Sequence, residues 1–282
     1  MGAARAPWRV LTSAAKVASS ASLLPSFLVI GGKRCGSTSL YRYLVRHPSI
    51  LACRVEKGTH YFDVHFERGW RWYRAGFPTK LRGAYLKRAH GVDVITGEAS
   101  PYYMFHPLAP ARIADALPDV RLIAVLRDPV DRAWSHYLYS VHHGFEDLPF
   151  DDALDREEAR LAGEEERIAA EPSYISYSHR HHSYLARGRY AEQLERVYDH
   201  FPTERVFIVK SEALFADPDA TCARVVRFLG REPVPLGAVN AHNAGTSQPM
   251  PTAIRDRLTS YYEEPNRRLA RLPGVDFTWG PQ

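Results

Sequence analysis

Short apolar runs alternate with longer amphipathic segments along this chain. Four runs with the length of buried strands lie near residues 27–30, 92–96, 120–126 and 206–209. Strands that are separated by helical segments are typical of a parallel sheet with helices on both faces. Since no linker or internal repeat divides residues 26–282, the pattern predicts a single α/β domain there.

Capping residues and apolar spacing predict the helices between these strands. They cover residues 37–46, 109–117, 128–144, 190–201, 218–229 and 252–263. Residues 146–171 contain eleven acidic residues and three arginines in runs, which favours a solvated helix over a metal site. The stretch His179-Arg180-His181-His182 is interpreted as a polar loop, because arginines and no carboxylate accompany its histidines.

The segment after the first strand contains the strongest candidate for ligand binding. It joins a glycine-rich turn, with cationic and hydroxyl side chains, to the start of a helix: Gly31, Gly32, Lys33, Arg34, Cys35, Gly36, Ser37, Thr38 and Ser39. Backbone N–H groups and the helix dipole at such a junction attract anions. Ser37 occupies the position of the lysine in nucleotide-hydrolysing phosphate loops, so we expect a phosphate binder that does not hydrolyse ATP. A glycine-rich turn without a ligand is the alternative.

A second anion contact is predicted at the end of the strand near 120–126. Arg127 lies at the carboxyl tip of this strand, and Asp128 and Pro129 begin the next helix. The carboxyl ends of parallel strands meet at one edge of a sheet, so we expect Arg127 near the phosphate loop. A surface salt bridge with Asp131 is the alternative role for Arg127.

Charge and cysteine content narrow the possible ligands and the location. The net charge is +5 although residues 146–171 are acidic, so the rest of the chain is strongly basic and suits a polyanionic ligand. Three cysteines without a metal-binding spacing favour a reducing compartment. Residues 1–25 are basic, and we expect a lead-in helix there rather than a transit peptide. No apolar run approaches the length of about 18 residues needed for a membrane span, so a cytoplasmic location is expected.

Five motifs occur in a fixed order across the domain. They are Lys33-Arg34-Cys35-Gly36-Ser37-Thr38-Ser39-Leu40-Tyr41, Lys57-x-x-His60-Tyr61-Phe62-Asp63, Gly97-Glu98-x-Ser100-Pro101-Tyr102, Val125-Leu126-Arg127-Asp128-Pro129-x-x-Arg132-Ala133-x-Ser135-x-Tyr137 and Tyr184-x-x-x-Gly188-x-Tyr190. With these motifs the chain resembles carbohydrate sulfotransferases that use 3′-phosphoadenosine 5′-phosphosulfate (PAPS), of the heparan-sulfate type and in a small soluble bacterial form. The resemblance runs from Phe27 to Trp279 and implies the sulfotransferase fold, a phosphate-loop-like parallel sheet flanked by helices.

The resemblance also implies roles for the two predicted anion sites. Residues 33–39 would hold the 5′-phosphosulfate of PAPS, Arg127 and Ser135 would hold its 3′-phosphate, and Gly245, Thr246 and Ser247 would fold over its adenosine end. The reaction would move a sulfuryl group to a hydroxyl or amine and leave 3′,5′-ADP. The expected acceptor is a carbohydrate, a glycolipid or another small molecule. Neither a metal nor a nucleic-acid partner is expected.

The chain departs from this family at three positions. The family's loop lysine aligns with Arg34, and Lys33 stands one residue earlier. A carboxylate base of the animal enzymes aligns with Gly58, and a further lysine aligns with Ala99. A catalytically lapsed nucleotide-binding protein is therefore an alternative function, as is a small-molecule kinase of the phosphate-loop class.

The candidate catalytic residues are two cations and a base. Lys33 and Arg34 are expected to stabilise the negative charge that develops on the leaving group. We favour Glu98 as the base that accepts the acceptor's proton, because it follows a strand at the edge where donor and acceptor would meet. His60 is the close second candidate and Glu56 the third.

Overall fold

Five parallel strands form a sheet within residues 21–235 and 248–280, which are the residues described by the computed structural model. The strands are β1 (Phe27–Gly31), β2 (Ile50–Leu51), β3 (Ile95–Ala99), β4 (Arg121–Leu126) and β5 (Val206–Lys210). Their order is β2-β3-β1-β4-β5, and each pairing is parallel. The α/β sheet flanked by helices that the sequence predicts is therefore confirmed.

Helices connect the strands and cover the sheet. They are α1 (Ser37–Leu44), α2 (Gly69–Ala75), α3 (Lys80–His90), α4 (Ala109–Ala116), α5 (Pro129–His142), α6 (Phe150–Asp155), α7 (Glu157–Leu161), α8 (Glu164–Ala170), α9 (Tyr177–His181), α10 (Tyr190–Tyr198), α11 (Ser211–Ala216), α12 (Pro218–Phe228) and α13 (Thr252–Leu269), with 3₁₀ turns at Phe66–Arg68, Ala186–Gly188 and Thr203–Arg205. Along the chain, β2 and β3 lie on one side of β1, and β4 and β5 then lie on the other side. Right-handed connections therefore place helices on both faces of the sheet.

Two strands differ from the sequence expectation. β2 has only two residues, which is too short to leave a hydrophobic pattern in the sequence. β3 begins later than expected and runs to Ala99, so Glu98 lies inside a fully buried strand and not beyond its end. A buried carboxylate is tolerated there because it accepts hydrogen bonds from neighbouring groups.

The acidic segment and the histidine-rich stretch also differ from their expected forms. The acidic segment forms three short helices, α6, α7 and α8, and Gly163, with φ 74, separates the last two. Two of its acids, Glu146 and Glu157, are buried and hydrogen-bonded instead of solvated. The expected polar loop at His179 is part of α9, because the Ser176 hydroxyl accepts a hydrogen bond from the backbone N–H of His179 and caps this helix.

Most of the expected lead-in, residues 1–20, lies outside the described part of the chain. Among the residues that the structure does describe, no helix combines the length and the apolar character needed to cross a bilayer.

The sheet places three connecting segments side by side. β1 is the central strand, with β3 on one side and β4 on the other. Because all three strands are parallel, the loop after β1 lies between the segments that follow β3 and β4. This order explains why the phosphate loop lies close to the end of β4, as the sequence predicts.

The stability of the domain should depend on this central strand. Leu28 in β1 is 0% exposed, whereas Leu81 on α3 is 78% exposed. Leu28→Ala should therefore lower the free energy of unfolding by about 2–5 kcal/mol, because the substitution removes buried contacts and leaves a cavity. Leu81→Ala, the same substitution on the surface, should stay within about 0.5 kcal/mol of the parent. Urea unfolding of both variants tests this, and equal losses would contradict the assignment of β1 to the core.

Candidate active site

A cavity of about 1320 Å³ opens along the edge of the sheet where four strands end. Its walls include residues from the segments after these strands: Lys33, Arg34 and Gly36 after β1, Pro101 and Tyr102 after β3, Arg127 after β4, and Ser211 and Glu212 after β5. Lys57 and His60 form another part of the wall. Open parallel sheets bind their ligands at this edge, so the cavity is the candidate active site.

The loop between β1 and α1 supplies the backbone part of an anion site. Gly36 adopts φ 95 immediately before the helix, a conformation that favours glycine. A Cβ atom at Gly36 would also lie 3.1 Å from the ring of Phe215. The hydroxyl residues 37–39 form the first turn of α1 and line the cavity. The first-turn N–H groups and the helix dipole are therefore available to an anion in the cavity.

The buried Tyr190 hydroxyl connects this loop with the end of β4. It donates a hydrogen bond of 2.9 Å to the Arg127 carbonyl and lies 3.6 Å from the Cys35 sulfur. Cys35 is 0% exposed, so its thiol packs into the interior and is not part of the described cavity wall. Tyr190 thus links the loop at Cys35 to the end of β4 at Arg127.

The adjacent cations Lys33 and Arg34 point to different parts of the cavity. Arg34 Nε donates to the Ser135 hydroxyl at 3.1 Å, whereas Lys33 Nζ donates to the Arg180 carbonyl at 2.9 Å. Both cations lie against the Tyr139 ring, at 5.6 Å for Lys33 and 5.1 Å for Arg34. Burial lowers the pKa of both side chains, and neighbouring arginines lower that of Lys33 further. Arg34 therefore lies with the Ser135 hydroxyl, whereas Lys33 is held by the Arg180 carbonyl.

Arg127 and Ser135 line the same cavity, as their separation of eight residues along a capped helix predicts. The Asp128 carboxylate caps α5 by accepting hydrogen bonds from the Val130 and Asp131 N–H groups. Asp131 pairs with Arg255 at 2.9 Å. The alternative role of Arg127, a salt bridge with Asp131, is therefore not seen. The structure brings Arg34, Arg127 and Ser135 into one wall of the cavity.

The loop from Lys57 to Asp63 places a histidine and a lysine in the cavity wall. Lys57 Nζ donates to the Thr38 hydroxyl at 2.7 Å, and burial followed by repulsion from Arg34 lowers the pKa of Lys57 to about 8. His60 has φ 50, and its Nδ1 lies 2.9 Å from the Asp63 carboxylate. Burial opposes the imidazolium, but Asp63 outweighs this effect, so the pKa of His60 is raised. With Nδ1–H held by Asp63, Nε2 is the nitrogen that can accept a proton.

Glu98 lies behind this loop. It is 0% exposed, and it accepts hydrogen bonds from the Thr59 N–H and hydroxyl, the Ser100 hydroxyl and the Tyr103 hydroxyl. Burial raises the pKa of Glu98, and these hydrogen bonds oppose the shift. Among the described residues of the cavity wall, His60 is present and Glu98 is absent. Glu98 therefore supports the loop from Lys57 to Asp63, which carries His60, by accepting hydrogen bonds from Thr59.

At Gly58, the departure from the family pattern has a steric reason. A Cβ atom at this position would lie 2.3 Å from the Ala99 carbonyl oxygen and 2.6 Å from the Ser100 hydroxyl. The loop passes too close to the end of β3 for any side chain, so a carboxylate cannot occupy this position without movement of the backbone. Ala99 is fully buried, and Glu56 is exposed and outside the described cavity wall.

Several residues of the cavity wall were not identified from the sequence. Arg187 is buried, donates to the Ser183 hydroxyl at 2.7 Å and lies 4.7 Å from the Tyr102 ring. Burial lowers the pKa of Arg187 to about 9. The motif Lys57-x-x-His60 could have drawn attention to Lys57, but the arrangement around Arg187 depends on contacts that no local pattern records.

Two expectations concern other parts of the site. Gly245, Thr246 and Ser247, which were predicted to cover the adenosine end, lie outside the described residues. Within residues 21–235 and 248–280, no group of three or more His, Cys, Asp or Glu side chains is placed to hold a metal ion.

The protein is of the α/β class, with a cavity at the edge of its parallel sheet. The loop before α1 resembles a phosphate loop but has Ser37 where nucleotide hydrolases have a lysine. Residues 24–242 match the family described as the sulfotransferase domain. The chain belongs to the sulfotransferase domain family, and the resemblance recognised in its motifs is confirmed.

Known proteins with similar sequences or structures agree with this assignment. The chain is 29% identical to the human heparan sulfate glucosamine 3-O-sulfotransferase 6, over 91% of this chain and 74% of that protein. It is 26% identical to the membrane-associated sulfotransferase kil1 of Dictyostelium discoideum, over 91% of this chain and 66% of that protein. A solved sulfotransferase from Alicyclobacillus acidocaldarius is 31% identical, with a TM-score of 0.63 over 90% of this chain and 97% of that chain.

The support role of Glu98 can be tested by stability. Glu98→Gln should lower the free energy of unfolding by about 1–3 kcal/mol, because an amide leaves buried donors without an acceptor. Urea unfolding measures this change. Glu56→Gln, a neutralisation at an exposed position, is the matched control and should leave the stability unchanged. Unchanged stability of Glu98→Gln together with lost turnover would return Glu98 to the role of base.

Proposed function

We propose that this sulfotransferase moves a sulfuryl group from PAPS to a hydroxyl or amine of an acceptor and releases 3′,5′-ADP. The observation that supports the proposal is that both predicted anion sites, the loop before α1 and the wall with Arg34, Arg127 and Ser135, line one cavity. PAPS has a phosphosulfate at its 5′ end and a phosphate at its 3′ position. Such a donor would occupy both sites.

The charges of the cavity fit a donor with several negative groups. Burial and neighbouring cations lower the pKa of Lys33 and of Lys57, and burial followed by repulsion from Arg127 lowers that of Arg34. Clustered buried cations disfavour their own charged forms until an anion binds among them. Arg34, Arg127 and Ser135 would hold the 3′-phosphate, while Lys33 and residues 35–39 would hold the 5′ end.

We assign the role of base to His60 because it lines the cavity and Asp63 orients its ring. His60 Nε2 would take the proton of the acceptor as the acceptor atom bonds to sulfur. The bond between sulfur and the bridging phosphate oxygen breaks, and its electron pair stays on the phosphate. Lys33, Lys57 and the first-turn N–H groups of α1 would stabilise this charge on the leaving 3′,5′-ADP. Arg34, which turns to Ser135, is assigned to donor binding.

The names of the similar proteins support a carbohydrate acceptor. The human relative is a glucosamine sulfotransferase that acts on heparan sulfate, according to its name. We therefore propose a carbohydrate or glycolipid acceptor for this chain. The expected cytoplasmic location and the expected independence from metal ions stay predictions.

Nucleotide selectivity tests the proposed function directly. The protein should bind 3′,5′-ADP more tightly than ADP, because Arg127 and Ser135 would contact the 3′-phosphate. Arg127→Ala should remove most of this preference, since a charge-assisted contact is worth roughly 1.5–3 kcal/mol. Isothermal calorimetry with both nucleotides measures the difference. Equal affinities of the parent protein for 3′,5′-ADP and ADP would refute the donor assignment, and a preference for ATP would favour a kinase.

The pH dependence of turnover tests the assignment of His60. The neutral imidazole is the form that accepts a proton, so kcat should rise as the pH passes through the pKa of His60. Asp63 holds this pKa above the 6.5 of an ordinary histidine, so the rise should lie above that value. Asp63→Asn removes the stabilising charge and should move the rise to lower pH. A rise at the same pH in parent and Asp63→Asn would contradict the assignment.

A further inference from the structure

We propose that Arg255, on α13, is a further ligand of the 3′-phosphate and helps the cavity to select nucleotides that carry this group. The inference rests on the sulfotransferase function proposed for the same cavity. Arg255 lines the cavity together with Arg127 and Ser135, although it comes from the C-terminal helix of the chain. The sequence motifs gave no reason to connect it with the site.

Arg255 contacts α5 through one ion pair. Its Nη2 lies 2.9 Å from the Asp131 carboxylate. Asp131 stands four residues before Ser135 on the same helix, so the two side chains are neighbours on one helix face, about 5–6 Å apart at Cβ. The Arg255 guanidinium therefore contacts a residue that is one helical turn from Ser135, whose hydroxyl is expected to hold the 3′-phosphate.

The carboxylates in this wall of the cavity would repel a bound phosphate unless a cation lies near it. Asp131 and Glu212 both line the cavity, and Glu212 accepts a hydrogen bond of 2.9 Å from the Asp128 N–H. A phosphate beside Ser135 would be repelled by the Asp131 carboxylate if no cation lay between them. Arg255 already contacts Asp131 and is placed to fill this position.

The contact between Arg255 and Asp131 leaves Arg255 free to respond to a ligand. The two side chains are 48% and 40% exposed, and ion pairs with such exposure contribute little to folding. Arg255 can therefore shift towards a phosphate while it stays beside the carboxylate, at little cost in stability. A guanidinium stays charged and presents two parallel donors to phosphate oxygens, which suits this role.

The same helix provides a matched control. Arg257 pairs with Asp151 and Asp155, each at 2.5 Å, and it is not among the described residues of the cavity wall. Calorimetry with 3′,5′-ADP and with 5′-AMP, which lacks only the 3′-phosphate, compares the two positions. Arg255→Ala should weaken binding of 3′,5′-ADP by about tenfold and leave 5′-AMP unchanged. Arg257→Ala should bind both nucleotides as the parent does, and Arg255→Lys should recover part of the loss.

A double variant separates direct contact with the phosphate from mere neutralisation of Asp131. With direct contact, Asp131→Asn/Arg255→Ala should bind 3′,5′-ADP more weakly than Asp131→Asn alone. Equal affinity of these two variants would overturn the inference, because Arg255 would then act only by covering the carboxylate.

The outcomes also separate this inference from the proposed function. If Arg255→Ala binds 3′,5′-ADP like the parent while Arg127→Ala loses its preference for it, the role of Arg255 is wrong and the function stands. If the parent protein does not distinguish 3′,5′-ADP from 5′-AMP, the proposed function itself fails. Thermal unfolding without nucleotide checks that each variant is folded.

Discussion

Repulsion among buried cations is the constraint on which this site depends. Lys33 is surrounded by arginines, and burial together with Arg187, Arg132, Arg180 and Arg34 lowers its pKa well below that of a free lysine. Protonation of such a group is less favourable in the folded than in the unfolded chain, so it opposes folding at neutral pH, and stability is gained as the pH rises from the lowered pKa towards the pKa of a free lysine. An anion in the cavity would reverse this effect. Ligand binding and stability are therefore coupled through these charges.

The fold holds these cations with neutral acceptors. Lys33 donates to the Arg180 carbonyl, and Arg187 donates to the Ser183 hydroxyl and the His179 carbonyl. Carbonyl and hydroxyl oxygens fix the position of a cation without cancelling its charge, so the charge remains available to a ligand. The imidazole of His60 instead has a charged partner, because the Asp63 carboxylate both orients it and raises its pKa. This contrast separates the groups suited to bind anions from the group suited to move a proton.

The local parts of the site could be predicted from the sequence, and the parts that depend on distant contacts could not. The phosphate loop is a continuous segment, and the cap at Asp128 fixes the helix that carries Ser135. The sequence favours Glu98 as the base because it predicts that the strand ends before this residue, but β3 continues through Glu98 and hydrogen bonds make its burial possible. Lys33 meets Arg180 across 147 residues of sequence, a contact that only the folded chain reveals.

Transfer of labelled sulfur distinguishes a sulfotransferase from a kinase and from a protein that only binds nucleotides. The protein would be incubated with sulfur-35-labelled PAPS and desulfated heparan oligosaccharides, and in parallel with ATP labelled at the γ-phosphate. We expect label in the oligosaccharide from PAPS, with release of an equal amount of 3′,5′-ADP. His60→Ala should lose this transfer although it still binds 3′,5′-ADP. Transfer from ATP instead of PAPS, or undiminished sulfuryl transfer by His60→Ala, would contradict these expectations.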